Sequence, residues 1–175
     1  QHVYMNLRDA RLLDVYANGL VDQTVVPLGG TVTQSFAYAK ADVTAVLRAI
    51  IDAYQPSVLR YQDPLVDNRY TADHADHIAA SRFTGDAIAT YTAPLTVVPY
   101  RDYNISDSPA VLRPAVASLK GDFFEVFHRY DGFASPSNWL ERLYYRWPRG
   151  TQWVGRNGAG RPQAFLVRNG TVRTF

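Results

Sequence analysis

Apolar residues alternate with polar ones in some stretches of this chain and recur every three to four residues in others, and the two periods mark out its elements. His2-Val3-Tyr4-Met5-Asn6-Leu7 is apolar-rich and predicts an opening strand. Arg8 to Arg11 has the character of a turn, and Leu12-Leu13-Asp14-Val15-Tyr16 predicts a second short strand closed by Asn18-Gly19. A loop with Pro27 and Gly29-Gly30 follows. Val43, Val46, Leu47, Ile50, Ile51 and Tyr54 then recur at helical spacing, the stripe of an amphipathic helix packed on something flat. Asp42 is placed to cap that helix and Pro56 to stop it.

Val58-Leu59-Arg60-Tyr61-Gln62 predicts a strand, Asp63 to Thr71 a loop, and His74 to about Tyr91 a second helix carrying Ile78, Ala79, Phe83, Ala87 and Ile88. Leu95 to Tyr100 is the next strand. A helical stretch begins at Asp107-Ser108-Pro109, is interrupted by Pro114 and ends near Gly132, its second half rich in aromatics through Phe123, Phe124, Phe127 and Tyr130. Helix, strand, loop, helix is the grammar of an α/β fold. The expected architecture is a Rossmann-like, mostly parallel open sheet flanked by helices and incomplete in this chain. The last 40 or so residues change character, and Ala164-Phe165-Leu166-Val167 with Asn169-Gly170 predicts a hairpin. We therefore expect residues 1–135 to form the α/β unit. Residues 136–175 would form a β-rich tail packed on it or the start of an add-on module.

Composition narrows the function. The chain has 175 residues, 47% hydrophobic and 19% charged, which suits a buried core and not a disordered segment. Its net charge is only +2 with the basic residues spread out, so nucleic-acid binding gains no support. No apolar run approaches the roughly 18 residues that suggest a membrane span. The absence of cysteine removes disulfides, thiolate metal sites and cysteine nucleophiles, leaving His and carboxylates as metal ligands, and is silent on compartment. No G-x-G-x-x-G or Walker spacing surrounds Gly29-Gly30, so nucleotide binding is not expected. Asn104-Ile105-Ser106 and Asn169-Gly170-Thr171 fit the short glycosylation pattern and are assigned to turns.

The one dense group of ionisable residues is Asp73-His74-Ala75-Asp76-His77, where a loop leaving a strand becomes a helix. Ligands of open α/β sheets collect outside the carboxyl ends of strands, and the i, i+3 spacing puts both imidazoles on one helical face. The same residues also suit a plain helix start, with Asp73 as cap, Asp76 complementing the dipole and the histidines merely exposed. His2 and His128 lie far away in sequence and fit a strand edge and a helix C-terminal turn.

Val58-Leu59-Arg60-Tyr61-Gln62-Asp63-Pro64 followed by Asp73-His74-Ala75-Asp76-His77-Ile78-Ala79-Ala80-Ser81-Arg82-Phe83 resembles the second signature of the PIG-L, or LmbE-like, zinc-dependent N-deacetylases. Asp9-Ala10-Arg11-Leu12 and Ala53-Tyr54-Gln55-Pro56 also fit, and the likeness covers about residues 1–130. Ala75 stands where the family usually has Pro. The resemblance implies hydrolysis of an N-acetyl group on an N-acetylglucosamine-type substrate. His77 would be a Zn2+ ligand, His74 the electrophile or acid at the scissile amide, and Asp76 the residue that orients or tunes His74.

The family's earlier His-Pro-Asp-Asp signature, which supplies the other ligands and the base, is absent here. With the start at Gln1 lacking an initiator Met, this leads us to expect the C-terminal part of a deacetylase, inert alone and needing an N-terminal fragment. A different class remains open. Trp139, Tyr144, Tyr145, Trp147 and Trp153 could instead stack on sugars, making the tail a non-catalytic carbohydrate-binding or interaction module, or could simply be buried against the domain.

Overall fold

The computed structural model describes residues 2–63, 73–100, 110, 112–131 and 140, and the backbone of three strands between 152 and 174. In chain order the elements are α1 (Leu12–Ala17), β1 (Asp22–Gln23), β2 (Ala37–Tyr38), α2 (Lys40–Tyr54), β3 (Val58–Gln62), α3 (Ala75–Ile88), β4 (Leu95–Tyr100), α4 (Pro114–His128), β5 (Gln152–Arg156), β6 (Pro162–Arg168) and β7 (Thr171–Thr174). The architecture is mixed α/β. β3 and β4 pair in parallel, Val58 opposite Thr96 and Gln62 opposite Tyr100, with α3 as the crossover between them. β5, β6 and β7 continue that open sheet in antiparallel sense beyond β4, and β1 and β2 form a separate two-residue ribbon.

The periodic segments fold as expected. β4 alternates buried and half-buried positions, with Leu95 and Val97 turned into the core. On α2 the stripe buries Val43 and Ile51, and Leu47 touches both core clusters. One cluster joins Ile51, Ala87, Tyr91, Leu95 and Val97. The other joins Val15, Val43 and Phe83, whose ring meets Tyr16 edge-on with centroids 4.9 Å apart. α2 stops where Gln55 turns left-handed (φ 45°) just before Pro56, which cannot continue a helix.

Two expected strands are corrected. Residues 2–8 form no strand: Asn6 takes φ 54°, which breaks the extended run, and Val25 N donates to Asn6 O as a lone 2.7 Å bond outside any ladder. Leu12 to Tyr16 lies in a helix, because Leu12, Val15 and Tyr16 share one helical face and pack into the same cluster as Phe83.

Helix boundaries also shift. α2 begins after Ala39, and Asp42, three residues on, accepts the Ala39 N–H at 2.8 Å. α3 ends at Ile88, with Tyr91 N reaching back to Ile88 O in a turn. Pro114 is the first residue of α4, where a proline has no intrahelical N–H bond to lose. The proposed start at Asp107 to Pro109, the Asn169-Gly170 turn, both glycosylation patterns and the side chains of Trp139, Tyr144, Tyr145, Trp147 and Trp153 lie outside the described residues.

One buried charge organises the N-terminal segment. Asp22, 3% exposed at its side chain, takes both Nε (3.1 Å) and Nη2 of Arg8. That hydrogen-bonded guanidinium holds the Asp22 carboxyl below the ordinary carboxylate range, against the opposing effect of burial. A lowered native pKa gives stability that is complete above the unfolded value and is lost as pH falls through the native one. Asp22→Asn is therefore expected to cost about 1–2 kcal/mol at neutral pH. In urea titrations repeated at falling pH, wild type and variant should converge in acid; a pH-independent gap contradicts this.

Candidate functional site

The site begins with how α3 starts. His74 is its N-cap: the carbonyl accepts from His77 N and Ile78 N, and the ring Nδ1 accepts from Asp76 N at 3.2 Å. The sequence pointed to Asp73 as the cap. Asp73 instead sits one residue earlier, and its Oδ1 takes the His74 N–H and the His77 Nδ1, each at 2.8 Å. The two imidazoles face each other at 5.4 Å between centroids, tilted by 56°.

Asp76 points the other way. Its Oδ1 accepts from Leu12 N at 3.0 Å and Leu13 N at 3.4 Å, so a carboxylate of α3 satisfies the unpaired first-turn amides of α1. This bond brings the turn before α1 over the start of α3. Asp9, in that turn, is exposed, and it offers a carboxylate oxygen which, with His74 and Asp76, forms a group whose ligand atoms lie within 4.8 Å of one another. Such a group could hold a metal ion.

The expected site residues His74, Asp76 and His77 are thus brought together at one helix start. Asp9 is an addition from another part of the chain. Nothing local singles it out, since its relevance depends on a fold that places residue 9 beside residue 74. His2 stacks on Tyr4 and His128 closes α4, and neither belongs to the group.

Hydrogen bonding assigns the two histidines opposite tautomers. His77 bonds a carboxylate through Nδ1, which must carry the proton, so a neutral His77 has its lone pair on Nε2. His74 accepts a backbone N–H at Nδ1, so a neutral His74 carries its proton on Nε2. Nε2 thus bears the lone pair in a neutral His77 and the proton in a neutral His74.

A concavity lies between α2 and α3, lined by Lys40, Thr44, Arg48, Asp86 and Thr90. Its cations are already engaged. Lys40 Nζ is 3.4 Å from Asp86 and lies 3.7 Å from the Tyr16 ring centroid, and Arg48 Nε bonds Asp52 at 2.8 Å.

Asp76→Ala should leave the α1 amides without their acceptor, a loss of about 0.5–2 kcal/mol. Hydrogen exchange at Leu12 and Leu13 should quicken by about tenfold while α2 is unchanged; unaltered exchange there would show that α1 does not depend on Asp76. Comparison with protein-family models, with curated proteins and with solved structures returns no match for this chain.

Proposed function

We propose that this chain carries one side of the active site of a zinc-dependent N-deacetylase acting on an N-acetylated amino sugar. The observation that carries the reading is the pair of opposite tautomers at the start of α3, together with the resemblance of Asp73 to Phe83 to the deacetylase signature. A metal-binding histidine commonly donates its second ring N–H to a carboxylate, which fixes the ring and raises its basicity. Asp73 stands in that relation to His77. His77 Nε2 would supply one ligand to a divalent ion.

When bound, zinc would lower the pKa of a water molecule towards about 7 and polarise the acyl oxygen. His74 supplies the complementary element. Its Nε2–H donates to the oxygen that gains negative charge as the amide is attacked. Asp76 holds the His74 ring through its own backbone N–H and keeps a carboxylate nearby. The remaining ligands and the base that takes the water proton are assigned to an N-terminal segment carrying the His-Pro-Asp-Asp signature. The sugar identity rests on resemblance alone.

A second reading has one observation in its favour, the proximity of Asp9, His74 and Asp76. A cation there would compete with the hydrogen bond that His74 Nδ1 accepts and with the α1 amides for Asp76. That competition ranks it second.

Metal analysis separates the two. With zinc supplied to the chain together with its N-terminal segment, His77→Ala should abolish binding and Asp73→Asn should weaken it about 10–100-fold. His74→Ala should keep the metal and lower turnover by about 10²–10⁴-fold. Metal lost in Asp9→Asn and retained in His77→Ala would replace the first reading with the second.

A further inference from the structure

Helix α4 is unlike the other helices. α2 and α3 bury side chains in the core, whereas no residue of α4 is buried. A helix of this length with Gly121 at its middle is marginal in water without a packed face. Its apolar residues nonetheless form a stripe: Val116, Leu119, Phe123, Val126 and, just past its end, Tyr130, all exposed, with Phe123 at 71% and Tyr130 at 89%. The steps alternate three and four, the narrow seam of a helix that pairs with another helix.

We propose that α4 is a self-association surface, pairing antiparallel with α4 of a second copy of this chain. The charges beside the seam select both partner and register. In a two-fold antiparallel pair that sets Phe123 against the partner's Val126, Leu119 falls against the partner's Tyr130. The residues flanking the seam on one side are then Asp122 and the partner's Arg129, an opposite-charge pair that symmetry repeats. On the other side Lys120 meets the ring of the partner's Phe127.

The neighbouring registers are disfavoured. Sliding the helices one heptad in one direction brings Asp122 against its own symmetry mate. Sliding them the other way does the same to Arg129, and like charges at these positions oppose pairing. A parallel pair would set Asp122 near the partner's Phe127 and lose the ion pairs. Arg129 also bonds Glu125 of its own helix at 3.2 Å, and a guanidinium with five N–H donors can serve both carboxylates.

Sedimentation of the 175-residue chain across micromolar to sub-millimolar concentrations is the test. A concentration-dependent dimer is expected. Asp122→Arg, at an exposed position, should weaken it about tenfold by replacing two ion pairs with two repulsions, with helix content unchanged. The double variant Asp122→Arg/Arg129→Asp should restore wild-type association, a recovery that simple damage to α4 would not allow. A monomer at every concentration overturns the proposal and assigns the stripe to another partner, such as a segment of a longer protein. A dimer indifferent to the charge exchange overturns it as well.

Discussion

The burial of α3 is the constraint on which the rest of the described structure depends. Ala79, Ser81, Phe83 and Ala87 are all closed off from solvent, and through them α3 is fixed against α1, α2 and the parallel pair of strands. Phe83 alone meets the edge of Tyr16 and packs with Val15 and Val43 from two other helices. Because the core face of the helix cannot rotate, the residues of its first turn have fixed directions. His74, Asp76 and His77 inherit their geometry from packing that begins one turn further along.

That first turn has few degrees of freedom left. Asp73 binds a backbone amide and a ring nitrogen, His74 caps the helix, and Asp76 reaches a different helix altogether. Asp73 and His74 hold the start of α3, and Asp76 ties it to α1. The two roles that the sequence left open at Asp73 to His77, helix start and ligand group, are compatible. A side chain held by a cap or a carboxylate loses less entropy when it engages a ligand.

The parts read correctly from the sequence are those with a long, unmixed period. The stripe of α2, the alternation in β4 and the run of β3 each repeat often enough for one geometry to win. The failures are short. Leu12 to Tyr16 holds too few residues to separate a strand from a helix, and the acceptor for its first-turn amides lies 64 residues away in sequence, on Asp76. Residues 2–7 look like a strand in composition, but Asn6 and Ala10 both take positive φ, and the bent segment between them is held by the buried Asp22 through Arg8. Such a conformation at Ala10 is intrinsically unfavourable by about 1–2 kcal/mol and is set by tertiary contacts that no local pattern reports. The place of Asp9 beside His74 and Asp76 was hidden for the same reason.

The parallel pairing of β3 with β4 also governs how the site comes into being. Strands joined by a hairpin can zip from their turn, but these two meet only after the chain between Gln62 and Leu95 has closed on itself with α3 laid across the sheet. The entropy of that closure precedes any reward from strand pairing, which makes it a slow step of folding. His74 and His77 lie inside the closing loop. The bonds that orient their rings are local to the helix start, whereas the reach of Asp76 to the amides of α1 and the approach of Asp9 form only once α3 is packed in place, so the long-range part of the site waits on the crossover.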